Sequence, residues 1–344
     1  MDVSGVFDAI SGIRTVVLGE AMLDVYLEGA AGRICQEAPV PAVAVARRNE
    51  FPGGAANVAA NVAGLGSAAI CLAVRGDDPE GALLEQALQS AGVSTEHLLW
   101  ERGRRTLTKN RVVADGQILV RFDQGDVAAI SSASQRALID RLAEVFDRCD
   151  LIIVSDYGYG VLTPSVLAAL AALQSQSPRF VVVDSKNLRR YRDVGVTAVK
   201  PNRAQAAQLL EQSGDGCPIE MATVLSWGAP LIAATGAEIV AVTLDCDGAV
   251  IFQRDCPPQR IAAQPVPNSR AIGAGDTFLA ALGIALASGA DARIAGQIAA
   301  AAARIVTRKD GTAACRHREL RDELLGRQTL GSEMVYVPNK PYHP

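Results

Sequence analysis

Short runs of apolar residues recur along the chain, and amphipathic segments rich in alanine and leucine separate them. The clearest apolar runs are residues 16–18, 151–154, 180–183 and 239–244, and the clearest amphipathic segments are 79–91, 134–146, 164–174 and 203–212. A strand that is apolar throughout is typical of a sheet covered on both faces. Strands that alternate with helices predict an α/β fold with a mostly parallel central sheet and helices on both faces.

Two other segments, residues 25–50 and 106–123, alternate between polar and apolar positions. This alternation predicts strands of an antiparallel sheet with one wet face. We therefore expect a small antiparallel β flap that closes over a substrate as a lid or pairs with a second subunit of a homodimer. Residues 1–330 are expected to form a single domain, and residues 331–344, which include three prolines, are expected to be poorly ordered.

The composition of the 344 residues argues against some classes of function but does not identify the function. Hydrophobic residues make up 49% and charged residues 20%, with a formal net charge of −4. This acidic balance gives no reason to expect nucleic-acid binding. The seven cysteines are scattered and the histidines number three, so a structural zinc site is not predicted and a reducing, cytoplasmic location is expected. The N-terminus lacks a basic leader, and no apolar run is long enough to span a membrane.

The stretch Gly273-Ala274-Gly275-Asp276 gives the strongest chemical signal. It is a small-residue turn that leads into a helix-forming segment, and the first N–H groups of a helix attract anions. Glycines let these N–H groups approach a phosphate closely. Asp276 can accept the proton of a hydroxyl group that attacks the phosphate. The alternative, which the motif alone does not exclude, is a glycine turn with Asp276 as a helix cap.

A second glycine turn precedes a helix of small residues. Gly53 and Gly54 allow the backbone to approach a ligand, and Asn57 can both donate hydrogen bonds to a sugar hydroxyl and accept them. The alternative is a tightly packed helix that needs small side chains. Asp24 and Asp156 follow predicted strands, where a carboxylate either holds sugar hydroxyls or forms part of a surface turn.

The two glycine motifs together resemble the two signatures of the ribokinase-like (PfkB) carbohydrate kinases. They occur in the family's order and start about 220 residues apart, and the likeness covers roughly residues 12–325. The pair is specific, whereas either motif alone is weak. The chain contains neither a P-loop sequence nor a dinucleotide-binding glycine sequence. The resemblance implies a sugar kinase that uses ATP and Mg²⁺, with Asp276 as the base and the N–H groups of residues 273–275 around the transferring phosphoryl group.

Further motifs are similar to those of the kinase of bacterial heptose biosynthesis, D-glycero-β-D-manno-heptose 7-phosphate kinase. This likeness implies phosphoryl transfer from ATP to the anomeric hydroxyl of a heptose 7-phosphate; another sugar, sugar phosphate or nucleoside stays an alternative acceptor. The second domain known in that family carries a His-x-Gly-His motif, which this sequence lacks, so kinase activity alone is expected. The matching motifs are Met22-Leu23-Asp24, Thr108-Lys109, Arg121-Phe122-Asp123, Ser155-Asp156-Tyr157, Val183-Asp184-Ser185-Lys186, Lys200-Pro201-Asn202 and Lys309-Asp310-Gly311-Thr312.

The resemblance also implies roles for single residues. A phosphorylated acceptor needs cationic partners. The candidates are Arg33, Lys109, Arg111, Arg121 and Lys186, and solvated surface charges are the alternative for each. The expected acceptor-binding residues are Asp24, Gly53, Gly54, Asn57, Lys109, Arg111, Arg121 and Asp156. The expected nucleotide-binding residues are Lys186, Asn202, Gln205, Thr243, Asp245 and Gly248, and no metal ligand is assigned.

Four positions depart from the family pattern, mostly on the nucleotide side. Gln205 stands where the family has a glutamate that organises magnesium, and a neutral amide binds a hard cation less well. Arg270 replaces an aspartate that helps to bind a monovalent cation, Asp245 replaces a glycine, and Tyr159 replaces a lysine. These departures imply altered metal use, a different substrate, or ligand binding without catalysis.

Overall fold

The computed structural model describes residues 1–212, 219–264 and 272–330. The predicted poorly ordered tail, residues 331–344, and Arg270 therefore lie outside the described residues. The strands are β1 (Arg14–Gly19), β2 (Ala21–Ile34), β3 (Pro41–Gly54), β4 (Ala68–Gly76), β5 (Leu98–Glu101), β6 (Thr108–Ala114), β7 (Gln117–Gln124), β8 (Leu151–Asp156), β9 (Phe180–Ser185), β10 (Ala198–Val199), β11 (Ile239–Thr243), β12 (Ala249–Gln253) and β13 (Gln259–Ile261).

The helices of the same ranges surround these strands, and three short 3₁₀ turns, 10–12, 188–191 and 245–247, link elements. A helix of the length and apolarity needed to span a membrane is not found in the described parts of the chain. The α-helices are α1 (Val3–Ala9), α2 (Ala55–Gly64), α3 (Pro79–Ser90), α4 (Ser132–Phe146), α5 (Pro164–Gln176), α6 (Arg203–Leu209), α7 (Met221–Leu225), α8 (Gly228–Thr235), α9 (Ala274–Ala287), α10 (Ala292–Val306) and α11 (His317–Leu330).

The larger sheet has the strand order β13-β12-β11-β10-β9-β8-β1-β4-β5. Its strands from β11 to β5 pair in parallel, and β12 runs antiparallel to both of its neighbours. The predicted apolar runs form the interior of β1, β8, β9 and β11. The predicted α/β fold with a mostly parallel sheet is confirmed.

Both faces of this sheet are covered by helices, which explains why its strands are apolar throughout. On β1, Val17 belongs to the core that α2, α9 and α10 build, whereas Val16 and Leu18 belong to the core that α4 and α5 build on the other face. Side chains of successive strand residues point to opposite faces. Truncating such a fully buried aliphatic side chain to alanine costs about 2–5 kcal/mol.

Local signals define the helix starts. Asp78 and Thr163 cap α3 and α5 with their side chains, and a proline occupies the first turn of each helix, where a missing N–H costs no hydrogen bond. The helix predicted over 203–212 is shorter than expected. It ends at Leu209, and Glu211 then adopts a left-handed conformation with φ of +57°.

The smaller sheet, which we call the lid, consists of β2, β3, β6 and β7 in the order β3-β2-β6-β7. Each outer pair is antiparallel, but the central strands β2 and β6 run parallel, because β6 enters the lid from β5 rather than by a hairpin from β2. The parallel register places Asp24 beside Lys109. The lid therefore joins two hairpins through a parallel seam at its centre.

The expectation of one wet face does not hold for β7. All eight residues of this strand are exposed in the described chain. The exposed residues include Ile118, Val120 and Phe122, whose exposed fractions are 48%, 51% and 41%. The apolar positions that produced the alternating pattern are thus uncovered within one chain.

Candidate active site

The Gly-Ala-Gly-Asp motif forms the first turn of α9. Gly273 precedes the helix with φ of +78°, a left-handed conformation that favours glycine. A Cβ atom at this residue would lie 2.8 Å from Nδ2 of Asn57. Glycine is therefore required twice here, by its backbone angle and by the close approach of α2. The first N–H groups of α9 have no partner within the helix and face the carboxyl edge of the large sheet.

Asp276 lies in this first turn and is held by two donors from distant parts of the chain. Nδ2 of Asn57 donates to Oδ2 of Asp276 at 2.8 Å, and the hydroxyl of Tyr157 donates to Oδ1 at 3.0 Å. Loss of solvation is the main cause that raises the pKa of Asp276 to about 6, and the hydrogen bond from Asn57 opposes it. The carboxylate is thus fixed in direction and is a stronger base than an ordinary aspartate.

Asn57 is itself oriented by a buried network. Nδ2 of Asn61 donates to the backbone oxygen of Asn57 at 2.9 Å and to its Oδ1 at 3.2 Å. The hydroxyl of Thr277 donates to Oδ1 of Asn61 at 2.8 Å. Because Oδ1 of Asn57 accepts from Asn61, its amide nitrogen is the end that points to Asp276. The network ties α2 to α9 at the site.

The second glycine turn brings the lid to the same place. A Cβ atom at Gly53 would lie 3.0 Å from Oδ2 of Asp24, and Gly54 has φ of +56°. Oδ1 of Asp24 accepts from Nη1 of Arg111 at 2.9 Å, and Oδ2 accepts from the hydroxyl of Thr312 at 2.9 Å. Asp24 and Arg111 are both buried. Asp24 lies inside β2 of the lid rather than directly after β1, which ends at Gly19, and protein donors already engage both of its oxygens.

The other cationic candidates differ in their surroundings. Lys109 is half-buried, with its amine 4.6 Å from the centre of the Tyr157 ring. Burial lowers its pKa, and the nearby carboxylates of Asp24 and Asp276 oppose that shift. Arg121 lies opposite Arg111 on β7 and pairs with Asp123 at 3.0 Å on the exposed surface. Arg33 is exposed near the far end of β2.

An ion pair between Lys200 and Asp184 lies close enough to Asp276 to affect its pKa. Nζ of Lys200 lies 2.8 Å from Oδ2 of Asp184, and the Lys200 side chain is only 5% exposed. A Cβ atom at Gly275 would lie 3.5 Å from this amine, so Lys200 reaches the first turn of α9. Asp184 raises the pKa of Asp276 and Lys200 lowers it. Neither residue was predicted as a site residue, although Asp184 lies near the carboxyl end of β9 and Lys200 follows β10.

The candidate nucleotide residues gather at the carboxyl ends of β10 and β11. Asn202 and Gln205 form a capping box at the start of α6: Oδ1 of Asn202 accepts from the Gln205 N–H at 2.8 Å, and Oε1 of Gln205 accepts from the Asn202 N–H at 2.7 Å. Thr243 forms a bridge with Asn202. The cap therefore engages the oxygen of Gln205, the atom that a metal ion would use.

Asp245 and Gly248 belong to the turn between β11 and β12. Asp245 is exposed and adopts φ of +50°, which fits its replacement of a glycine. A Cβ atom at Gly248 would lie 2.0 Å from the backbone oxygen of Ile261, so this residue must be glycine. Asp247 in the same turn pairs with Arg203 at the start of α6. In the described residues, no three His, Cys, Asp or Glu side chains form a group that suits a metal ion.

Both oxygens of Asp156 accept hydrogen bonds from neighbouring protein groups. Its Oδ1 accepts from the Gly158 N–H at 2.9 Å, and its Oδ2 accepts from the hydroxyls of Ser185 at 2.8 Å and Tyr191 at 2.7 Å. These partners make it a buried connection between β8 and β9. Lys186 lies farther along the same edge, with its amine 5.1 Å from the centre of the Tyr159 ring.

A cleft of about 1050 Å³ opens beneath the lid. Tyr26 and Glu28 of β2 line it on one side, and Ile272 and Gly311 line it beside the start of α9. The hydroxyl of Tyr26 lies 3.2 Å from the hydroxyl of Thr312. The volume of the cleft is in the range of small-molecule sites.

Comparisons with known proteins agree with this geometry. The sequence matches the pfkB family carbohydrate kinases over residues 13–319. It is 36% identical over 315 residues to the bifunctional protein HldE of Desulfatibacillum aliphaticivorans, covering 91% of this chain and 63% of that protein. It is 37% identical to the HldE of Citrifermentans bemidjiense, covering 93% and 65%. The chain thus spans about two thirds of the length of these relatives.

Solved structures show the same fold. Phosphofructokinase-2 from Escherichia coli, in complex with potassium, superposes with a TM-score of 0.74 at 22% identity, covering 92% of this chain and 99% of that one. Ribokinase from Arabidopsis thaliana, complexed with ribose and ATP, superposes with a TM-score of 0.68 at 19% identity, covering 91% and 98%.

Proposed function

Because the chain belongs to the pfkB family of carbohydrate kinases, we propose that it transfers the γ-phosphoryl group of ATP to the anomeric hydroxyl of a heptose 7-phosphate. Family membership makes it a phosphotransferase with an alcohol group as acceptor and ATP as the donor. The acceptor is the finer step of the proposal, and it rests on the similarity to HldE.

The observation that supports the proposal best is the setting of Asp276. Each of its oxygens accepts one hydrogen bond from the protein, and a carboxylate oxygen can accept two. The remaining capacity suits the hydroxyl of an acceptor. With a pKa of about 6, Asp276 is mostly ionised at pH 7 and takes the hydroxyl proton as the oxygen attacks phosphorus.

Two kinds of positive group can stabilise the negative charge that develops on the transferring phosphoryl group. The N–H groups at the start of α9 point toward it, because a helix N-terminus favours anions. Lys200 adds a full positive charge next to the same turn. Their combined effect is to stabilise the transition state without a covalent intermediate.

The nucleotide side takes ATP at the carboxyl ends of β9, β10 and β11. We assign it Lys186, Asn202, Gln205, Thr243, Asp245 and Gly248. Mg²⁺ fits this edge if nucleotide phosphates and water supply most of its ligands, because Oε1 of Gln205 is engaged while Asp245 offers an exposed carboxylate. When bound, Mg²⁺ neutralises charge on the β- and γ-phosphates.

On the acceptor side, the residues near the base are Asp24, Gly53, Gly54 and Asn57. Lys109 adds a cation close to the carboxylates of Asp24 and Asp276. Arg111 acts through its ion pair with Asp24. Arg121 offers a cation farther out on the lid. Asp156 acts indirectly, because its oxygens are engaged between β8 and β9.

A second candidate function is binding of a nucleotide or sugar without turnover. The engaged oxygen of Gln205 favours it, because the family's metal-organising glutamate is missing at this residue. This candidate predicts that calorimetry detects nucleotide binding while phosphoryl transfer is absent at every Mg²⁺ concentration.

We also propose that the chain forms a homodimer through the lid. The uncovered apolar residues of β7 support this, because exposed apolar patches on a sheet mark interaction surfaces. Light scattering at several concentrations tests it, and a monomer at every concentration would refute it.

The test of the kinase proposal is ADP release from Mg-ATP. The acceptors are heptose 7-phosphate, sedoheptulose 7-phosphate, fructose 6-phosphate, ribose and adenosine. Asp276→Asn should lower the rate on the true acceptor by about 10²–10⁴. Asp291→Asn is the matched control, because Asp291 caps the start of α10 away from the site. Turnover of another acceptor alone would overturn the heptose assignment, and silence across the panel with ATP still bound would favour the second candidate.

A further inference from the structure

Glu20 lies between β1 and β2 and joins three parts of the site. It is buried, with 1% of its surface exposed. Its backbone N–H donates to the oxygen of Ser155 at 3.2 Å, and its backbone oxygen accepts from the Ala55 N–H at 3.0 Å. Glu20 thus holds the end of β8 on one side and the start of α2 on the other.

The Glu20 side chain holds the loop that follows β8. Oε2 accepts from the Tyr157 N–H at 2.7 Å, and Oε1 accepts from the Val161 N–H at 3.1 Å. Gly158 and Gly160 within this loop have φ of +74° and +86°. The loop turns sharply twice without regular structure, and the carboxylate of Glu20 bridges its two ends while Asp156 and Arg104 hold its interior.

This loop presents Tyr157 to the base. The Tyr157 hydroxyl donates to Asp276 at 3.0 Å, its ring lies beneath the amine of Lys109, and it stacks on Tyr159 with ring centres 6.1 Å apart. A shift of the Tyr157 backbone would therefore change both the orientation of the Asp276 carboxylate and the position of the Lys109 amine.

The Glu20 carboxyl group changes between its neutral and ionised forms near neutral pH. Burial, and then the nearby carboxylate of Asp156, raise the pKa of Glu20 to about 7, and hydrogen bonds from Tyr157 and Val161 oppose the shift. Tyr191 and Arg190 contact Asp156 from the far side, with Arg190 at 3.5 Å. Only the ionised form offers an acceptor on both oxygens, because protonation puts a donor against one of the two N–H groups.

We propose that Glu20 is a positioning residue for phosphoryl transfer, which acts by holding the 157–161 loop so that Tyr157 directs the carboxylate of Asp276. The inference rests on the proposed kinase function. It assigns no contact between Glu20 and either substrate.

The kinetic test uses Glu20→Gln, which resembles protonated Glu20 in shape and charge. At pH 8 its kcat should be about 10-fold below that of the unmodified protein, since one hydrogen bond in the chain to Asp276 is lost. The ratio should fall toward one between pH 8 and pH 6, as Glu20 in the unmodified protein takes up a proton. The KM for ATP should not change, and Glu20→Asp should restore part of the loss at pH 8.

Asp291→Asn is the matched control. Oδ1 of Asp291 also accepts a backbone N–H, that of Ile294 at 2.8 Å, but it does so at the start of α10. Its kcat ratio to the unmodified protein should be the same at every pH. A loss for Glu20→Gln that is equally large at pH 6 and pH 8 would mean a purely structural role and would overturn the inference.

Hydrogen exchange gives a readout that needs no turnover. At a fixed pH of 8, amides of a peptide covering residues 155–163 should exchange faster in Glu20→Gln than in the unmodified protein, and Asp291→Asn should leave them unchanged. Unchanged exchange in Glu20→Gln overturns the inference even if the protein is a kinase. Faster exchange in a protein that turns over no acceptor would instead refute the kinase proposal, and with it the role in transfer, while the link from Glu20 to the loop stands.

Discussion

The two sides of Asp276 are built differently. On the acceptor side, the polar groups of Asp24, Arg111 and Thr312 are buried and hydrogen-bonded to one another across three elements. On the nucleotide side, Gln205 caps a helix of seven residues and Asp245 lies exposed in a short turn. A substitution on the acceptor side leaves a buried polar group without its hydrogen-bond partner. On the nucleotide side, water can replace the lost partner.

This difference accounts for two of the three described departures from the family pattern. Gln205 and Asp245 belong to the nucleotide side, whereas Tyr159 stacks on Tyr157 beside the base. Gln205 keeps the capping box that a glutamate would form, and Asp245 tolerates the left-handed backbone angle better than most residues do. Substitution here changes function at little cost in stability.

The largest effect should come from breaking the acceptor side at its buried ion pair. Arg111→Met leaves the charge of Asp24 buried without its partner, which costs about 3–5 kcal/mol in the free energy of unfolding. Urea denaturation measures this loss. Arg121→Met removes a similar cation from an exposed pair on the same lid and should cost about 0–1 kcal/mol. Equal losses in both variants would contradict the contrast between buried and exposed charges.

A smaller effect is expected at the ion pair between Lys200 and Asp184, where removing either charge should shift the pKa of Asp276 in opposite directions. Lys200→Met should raise the pKa of Asp276, so the acid limb of the kcat profile moves to higher pH, and Asp184→Asn should move it to lower pH. Loss of the charge at Lys200 should also lower kcat at pH 8 by roughly 10- to 100-fold, as expected for a charge-assisted hydrogen bond.

The double variant of Lys200→Met with Asp184→Asn separates the two contributions. Its acid limb should return toward that of the unmodified protein, because the two opposing charges are both gone, while its rate at pH 8 stays low. Limbs that shift in the same direction in both single variants would refute this account.

The smallest effect should come from restoring a carboxylate on the nucleotide side. Gln205→Glu keeps the cap and adds a charged oxygen ligand, so the Mg²⁺ concentration for half-maximal turnover should fall a few-fold. Gln208→Glu adds the same charge to the exposed end of α6 and should not change the Mg²⁺ requirement. A loss of stability in Gln205→Glu would show that this side is as tightly constrained as the acceptor side.

The sequence predicted the parts of the fold that depend on local patterns. Apolar runs marked the interior of β1, β8, β9 and β11, and the two glycine motifs marked the starts of α2 and α9. The length of the last predicted turn of α6 was wrong, because a periodic pattern does not reveal where Glu211 reverses the chain. The parallel seam between β2 and β6 was not predicted, since pairing direction depends on a connection through β5.

Contacts between distant residues limited prediction of the site. The motifs assigned Asp276, Asn57 and Asp24 to one candidate site, and these residues lie close together in the structure. Tyr157 and Lys200 were noted only as parts of motifs, because their contacts with Asp276 and Asp184 depend on which strands end side by side. The same limit hid the contacts of Asp156, whose Oδ2 accepts from the hydroxyls of Ser185 and Tyr191.

The bond from Thr312 to Asp24 joins residues that are 288 positions apart in the chain. During synthesis from the N-terminus, the lid strands and most of the large sheet leave the ribosome long before Thr312 does. The acceptor side therefore closes only after Thr312 has been made, as a late and non-local folding event. A chain that stops before Thr312 lacks this closure, which makes the site depend on a residue far from the lid in sequence.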